Sequence, residues 1–142
     1  MLKIAHRGNL SGPNLALENS PEYIQKALDL GYYVEIDCWK IGEDWLLGHN
    51  GPKYLVDFEF INNGRIFAHC KNLEALYQLG IEQRLKCDFF AHDQDPWALT
   101  NFGYIWTYPN EQVRSKSIIV DLKNSRKYTN VAGICSDFWL DK

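Results

Sequence analysis

Two carboxylates stand two residues apart in Tyr33-Val34-Glu35-Ile36-Asp37-Cys38. In an extended strand that spacing places Glu35 and Asp37 on one face and Val34, Ile36 and Cys38 on the other. A strand covered on both sides cannot leave paired acids bare, so they must bind a cation, meet basic groups or take up a proton. Carboxylate oxygens suit a hard divalent ion such as Mg²⁺, Ca²⁺ or Mn²⁺. The plainer alternative is an exposed strand face carrying two solvated acids.

Near the N-terminus, Lys3-Ile4-Ala5-His6-Arg7-Gly8 reads as a strand that ends in a proton-exchanging imidazole, a planar guanidinium and a glycine. Arg7 can present two donors to two phosphate oxygens, and Gly8 lets backbone approach a ligand. Taken alone the tripeptide is equally a capped strand end with a surface arginine. A second histidine, His49, follows a hairpin-like bend at Gly42-Glu43-Asp44. By itself it would more often be structural or exposed.

Short strand-like runs must position these groups: Leu2 to His6, Tyr32 to Cys38, Trp45 to Gly48, Arg65 to Cys70, Cys87 to Ala91, Gly103 to Thr107, Ser117 to Asp121 and Ala132 to Ser136. They alternate with helical or loop segments, the pattern of an α/β domain with a largely parallel sheet. Ser20 as N-cap, Pro21 at the first helical position, Glu22, the apolar stripe Ile24-Ala27-Leu28 and the terminator Gly31 predict one helix. Asn72 with Leu73, Leu76 and Gly80 predicts a second, and Asp95-Pro96 with Trp97 and Leu99 is read as the start of a third.

With 142 residues, 46% of them hydrophobic, the chain is expected to form a single domain over 1–142. A net charge of −3 with scattered Lys and Arg offers no field for a nucleic-acid backbone. No apolar stretch is long enough to span a membrane, and no signal-like segment follows Met1, so a cytoplasmic protein is expected. Cys38, Cys70, Cys87 and Cys135 lie far apart beside apolar runs and read as reduced, buried thiols.

In order and spacing, His6-Arg7-Gly8, Glu18-Asn19-Ser20, Glu35-Ile36-Asp37 and Gly48-His49 resemble the glycerophosphodiester phosphodiesterases, whose pattern runs HRG, ENT or ENS, ExD, HD. The resemblance is close over the first fifty residues and looser beyond. It implies a reduced TIM-type β/α barrel with shortened or missing helices, because a full barrel takes about 200 residues or more. It further implies that His6 and His49 are the acid and base, that Arg7 holds the phosphate, that Glu35 and Asp37 ligate a divalent metal, and that Glu18 lines the same rim.

The chain departs from that pattern at Asn50, where the family has aspartate, and at Phe67-Ala68-His69-Cys70-Lys71, where it has Glu-x-Lys. His69 and Lys71 share a strand face. The resemblance makes His69 a third metal ligand, which would admit Mn²⁺ or Zn²⁺, and Lys71 a phosphate partner; alternatively His69 only hydrogen-bonds within the sheet. His92 stands at the rim or in a turn with Asp93. Trp106 matches the family's cleft aromatic, although an aromatic in a strand is more often core. The run Gly133 to Asp137 matches the family's closing strand.

The expected activity is metal-dependent hydrolysis of a glycerophosphodiester or related small phosphodiester. Two other readings are a catalytically inactive phosphate- or sugar-phosphate-binding relative and a metal-independent cyclising lyase resembling phosphatidylinositol-specific phospholipase C. A homodimer would cover strand surfaces that lack helices.

Overall fold

All eight strand-like runs of the sequence are strands in the computed structural model, which describes residues 1–140. The strands are β1 Leu2–His6, β2 Tyr33–Ile41, β3 Asp44–Leu47, β4 Tyr54–Val56, β5 Ile66–Cys70, β6 Asp88–Phe90, β7 Trp97–Leu99, β8 Ile105–Thr107, β9 Ser117–Val120 and β10 Gly133–Ser136. The helices are α1 Pro21–Asp29, α2 Phe58–Ile61 and α3 Leu73–Ile81.

Helix α1 forms where its signals lie. Ser20 has extended backbone at the cap but makes no side-chain capping bond, Pro21 presets the first turn, and Ile24, Ala27 and Leu28 are buried. Helix α3 is capped by the Asn72 side chain, which accepts from the Ala75 N–H at 3.0 Å. The same amide accepts from Lys40 N–H and donates to the Lys40 carbonyl, fastening the helix start to β2.

Seven strands run parallel in the order β6-β5-β2-β1-β10-β9-β8. Antiparallel β3 and β4 extend from the far end of β2, turning at Gly42 (φ +56°), and antiparallel β7 flanks β8. The result is a curled, mixed-sheet half-barrel. It corrects the expected TIM-type barrel: among the described residues no pairing joins β6 to β7 or β8, and no helix stands between the strands from β6 to β10. The physical reason lies in the connections. The segments 108–116 and 121–132 carry few apolar residues, and Asn110, Asn124 and Asn130 adopt positive φ, so these links are turns with no apolar stripe to dock a helix.

The helix expected after Asp95-Pro96 is likewise corrected to strand β7. Buried Asp88 accepts from the Thr100 hydroxyl at 2.7 Å and from the Phe102 N–H at 3.0 Å, and Gly103 takes φ +91°. Together they reverse the chain and return it as a hairpin. Strand β4 and the four-residue α2 are additions that the sequence did not lead us to expect.

Strand alternation divides the core into two layers. Outside the curl, Ala5, Val34, Ile36 and Ala68 pack against Ile24, Ala27, Leu28, Ala75 and Leu79 of the helices. Inside it, Ile4, Phe67, Phe90, Trp106, Ile118 and Cys135 form a floor, with Trp106 stacked on Phe90 at 4.4 Å. All four cysteines are buried free thiols, and burial pushes Cys87 up to about 12. No helix among the described residues is long and apolar enough to cross a membrane.

Candidate active site

One inward position beyond the apolar floor, the strands turn polar. Ile4 is followed by His6, Phe67 by His69 and Cys135 by Asp137, because residues two apart share a face. Register aligns them: His6 lies beside Glu35, and Asp37 beside His69. The C-terminal ends of β1, β2 and β5 therefore gather His6, Glu35, Asp37 and His69 over the floor.

Three ligand-type atoms, one each from Glu35, Asp37 and His69, lie within 4.8 Å of one another. Asp37 is the anchored member. Its carboxylate accepts from the Asn19 amide at 2.9 Å, and its backbone N–H donates to the same amide's oxygen at 2.9 Å. Arg7 Nε stands 3.3 Å away, His69 Nδ1 3.3 Å and His49 Nδ1 3.5 Å. Burial opposes the Asp37 charge, but His49, His69, Arg7 and Asn19 outweigh it and hold this carboxyl far below the usual range.

Glu35 is placed differently. Burial, then the Asp37 charge, push its carboxyl up against the opposing pull of His6, His69 and Arg7. It is 3% exposed, and its Oε2 is buried without a hydrogen-bond partner, with His6 Nε2 3.7 Å distant.

The two inner histidines have their tautomers set from behind. His6 Nδ1 donates to Asp137 at 2.8 Å, leaving Nε2 turned toward Glu35. His69 Nε2 donates to the His92 carbonyl at 2.9 Å, so its Nδ1 faces Asp37. A bare Nδ1 lone pair facing a carboxylate at that distance is repulsive, so a proton or a cation belongs between them. Burial lowers both imidazoles, but Asp137 and Glu35 at His6, and Asp37 and Glu35 at His69, leave each pKa raised.

Arg7 reaches the site through a sharp turn in which Arg7 (φ +56°) and Gly8 (φ +87°) are both left-handed; a Cβ on Gly8 would stand 2.9 Å from the Tyr23 ring. Glu18 joins the rim by accepting from Arg7 at 3.1 Å and from Asn9 at 3.0 Å. His49 sits at the lip, 40% exposed.

Three residues named from sequence stand apart from this cluster. Lys71 follows β5, tied through its backbone N–H to the Cys38 carbonyl, and its side chain makes no polar contact with the cluster. Trp106, 4% exposed, lies in the floor, with no open face toward a cleft. His92 joins through its carbonyl, while its ring donates to Asp95 O at 2.6 Å and meets Tyr108 edge-on; Tyr108 in turn donates to the Asp93 carbonyl.

Asn9, Asn19 and Asp137 enter the site without a role expected of them from sequence. Asn9, fully buried, donates to both Glu18 and Asp137. Asp137 was signalled as an acid directly following a strand; β10 pairs Ser136 with Ala5 of β1, which sets Asp137 level with His6. No family model, curated protein or solved structure matches the chain.

Proposed function

We propose that this protein is a metal-dependent phosphodiester hydrolase, a short and divergent relative of the glycerophosphodiester phosphodiesterases, acting on a glycerophosphodiester or a related small phosphodiester. One observation carries the reading: the buried, unpartnered Oε2 of Glu35 beside Asp37 and the inward Nδ1 of His69. Such an oxygen calls for a cation or a proton, and two carboxylates with one imidazole fit Mg²⁺, Mn²⁺, Ca²⁺ or Zn²⁺. When bound, the ion would neutralise charge on a non-bridging phosphate oxygen.

The chain's own residues supply the rest. Arg7, held by Glu18 and Asp37, offers its guanidinium to the phosphate. His6, oriented by Asp137, exchanges a proton at Nε2, and His49, beside Asp37 at the lip, exchanges the other. One deprotonates the attacking water and the other protonates the departing alcohol, so the diester is split to a monoester and an alcohol with protons balanced.

Hydrolysis of bis(p-nitrophenyl) phosphate and glycerophosphoinositol by purified protein tests this, with EDTA and then with each ion added back. Activity lost to chelator and restored by an ion supports the proposal. Absence of turnover with every ion, in folded protein, rejects it.

A second reading is favoured by Asp37, which already has Arg7, His49 and His69 around it. Charge can then be balanced by the protein alone, as in a metal-independent cyclising lyase. Chelator-resistant activity with a cyclic phosphate product would select it.

A further inference from the structure

A cleft of about 390 Å³ leads away from Arg7 and His49 between two walls, residues 15–19 and residues 48–53. The Tyr54 hydroxyl ties them together by donating to the Ala16 carbonyl at 3.4 Å. The second wall is folded tightly on itself. A Cβ at Gly48 would stand 2.0 Å from the Gly51 carbonyl oxygen and 3.3 Å from Lys53 Cβ, and Lys53 N–H donates to the Leu47 carbonyl at 3.0 Å. The close approach that only glycine permits here holds Lys53 beside the His49 segment.

The charges along this cleft are not alike. Arg7 and Glu18 are paired at 3.1 Å, and the other Glu18 oxygen accepts from Asn9. Lys53 has no carboxylate partner among the described residues; its ammonium lies 5.0 Å from the Tyr54 ring centroid. Exposed Lys53 thus leaves one positive charge without a carboxylate partner among the described residues on the cleft wall that also carries the neutral amide of Asn50, within the same cleft as Arg7. Lys53 also occupies the aromatic face that a quaternary ammonium would use, and repels such a group.

The geometry points to a second anion subsite at Lys53, so that the preferred substrate is a phosphodiester whose alcohol bears an anionic group of its own. This deepens the phosphodiester reading and rests on it. The subsite selects among leaving groups, and the chemistry at His6 and Glu35 is common to all of them.

The test compares kcat/KM for glycerophosphocholine, glycerophosphoinositol and glycerophosphoinositol 4-phosphate, whose alcohols are cationic, neutral and anionic, at low ionic strength. The expected order is anionic, neutral, cationic. Lys53→Gln, which removes the charge and keeps the first methylenes of the side chain, should lower kcat/KM for the anionic substrate about fivefold, the upper range for an exposed ion pair, and leave the neutral one within about twofold. Equal rates on all three, or a uniform loss in Lys53→Gln, overturns the subsite while leaving the hydrolase intact. If no diester is turned over, the hydrolase proposal falls, and calorimetry with inositol 1,4-bisphosphate still decides the subsite. Binding weakened about fivefold by Lys53→Gln upholds it, and binding that is absent or unchanged overturns it.

Discussion

The two halves of the sheet are built from similar strands and differ in what stands behind them. Strands β1, β2 and β5 are backed by α1 and α3, whose buried side chains lock the outer face. Strands β8 and β9 are linked by turns, and β7 returns as a hairpin with Trp97 and Leu99 exposed. The polar cluster stands on the helix-backed half, while the other half supplies the floor residues Trp106 and Ile118 and, through β10, the carboxylate of Asp137. A site that needs several charged groups held within a few ångströms is placed where backbone and register are doubly supported; the other half closes the floor and lends one carboxylate, Asp137.

That contrast breaks most sharply at His6. His6→Ala should lower kcat by about 10²–10⁴-fold with the fold retained, the range for a lost general acid or base, measured with bis(p-nitrophenyl) phosphate beside circular dichroism. The floor should respond the other way round. Trp106→Ala should cost about 3–5 kcal/mol of stability, as for other buried aromatics, read from urea unfolding, because the ring is stacked on Phe90.

Asp137→Asn sharpens the comparison, since it removes a charge that the weaker half lends to the stronger. Loss of a partner that orients a functional histidine typically costs about 10–100-fold. The expected signature is a fall in kcat with KM little changed, and no further loss when it is combined with His6→Ala.

Stability should depend on pH through the cluster. His6 and His69 are raised above 6.5 in the folded protein, so the folded state binds more protons than the unfolded state from that pH up to their raised values. Their contribution is present below 6.5 and is lost as pH rises through the folded pKa values. Raised Glu35 acts in the same direction from 4.5 upward, whereas lowered Asp37 loses its contribution only as pH falls deep into the acid range. Tm should therefore decline as pH rises above 6.5, less steeply in His69→Gln. A divalent ion held by Glu35 and Asp37 should raise Tm, and more so at the alkaline end, in thermal scans with and without EDTA. A Tm that does not respond to any ion would count against the metal site. The smallest effect belongs to the exposed edge: Leu99→Glu should change stability by less than about 0.5 kcal/mol.

Much of this was legible along the chain. Alternation in Tyr33 to Cys38 put both acids on one face, the eight strand runs stand where their apolar residues lie, and Ser20-Pro21 and Asn72 mark the two longer helices. Those signals are local: each is a pattern over a few residues, set by side-chain period or by the backbone preferences of proline and asparagine.

Tertiary structure decided the remainder. Trp97-Ala98-Leu99 became a strand because Asp88, nine or more residues away, takes up the donors of the following turn. Trp106 entered the floor because Phe90 and Phe67 face it. The sheet stayed open because its later links bury no helix. His6 acquired its tautomer from Asp137 across 131 residues. Which residues could serve, and which face each shares with its near neighbours, follow from local residue order alone. Which faces meet depends on register and curvature, which arise only when distant strands pair and bury their apolar sides together.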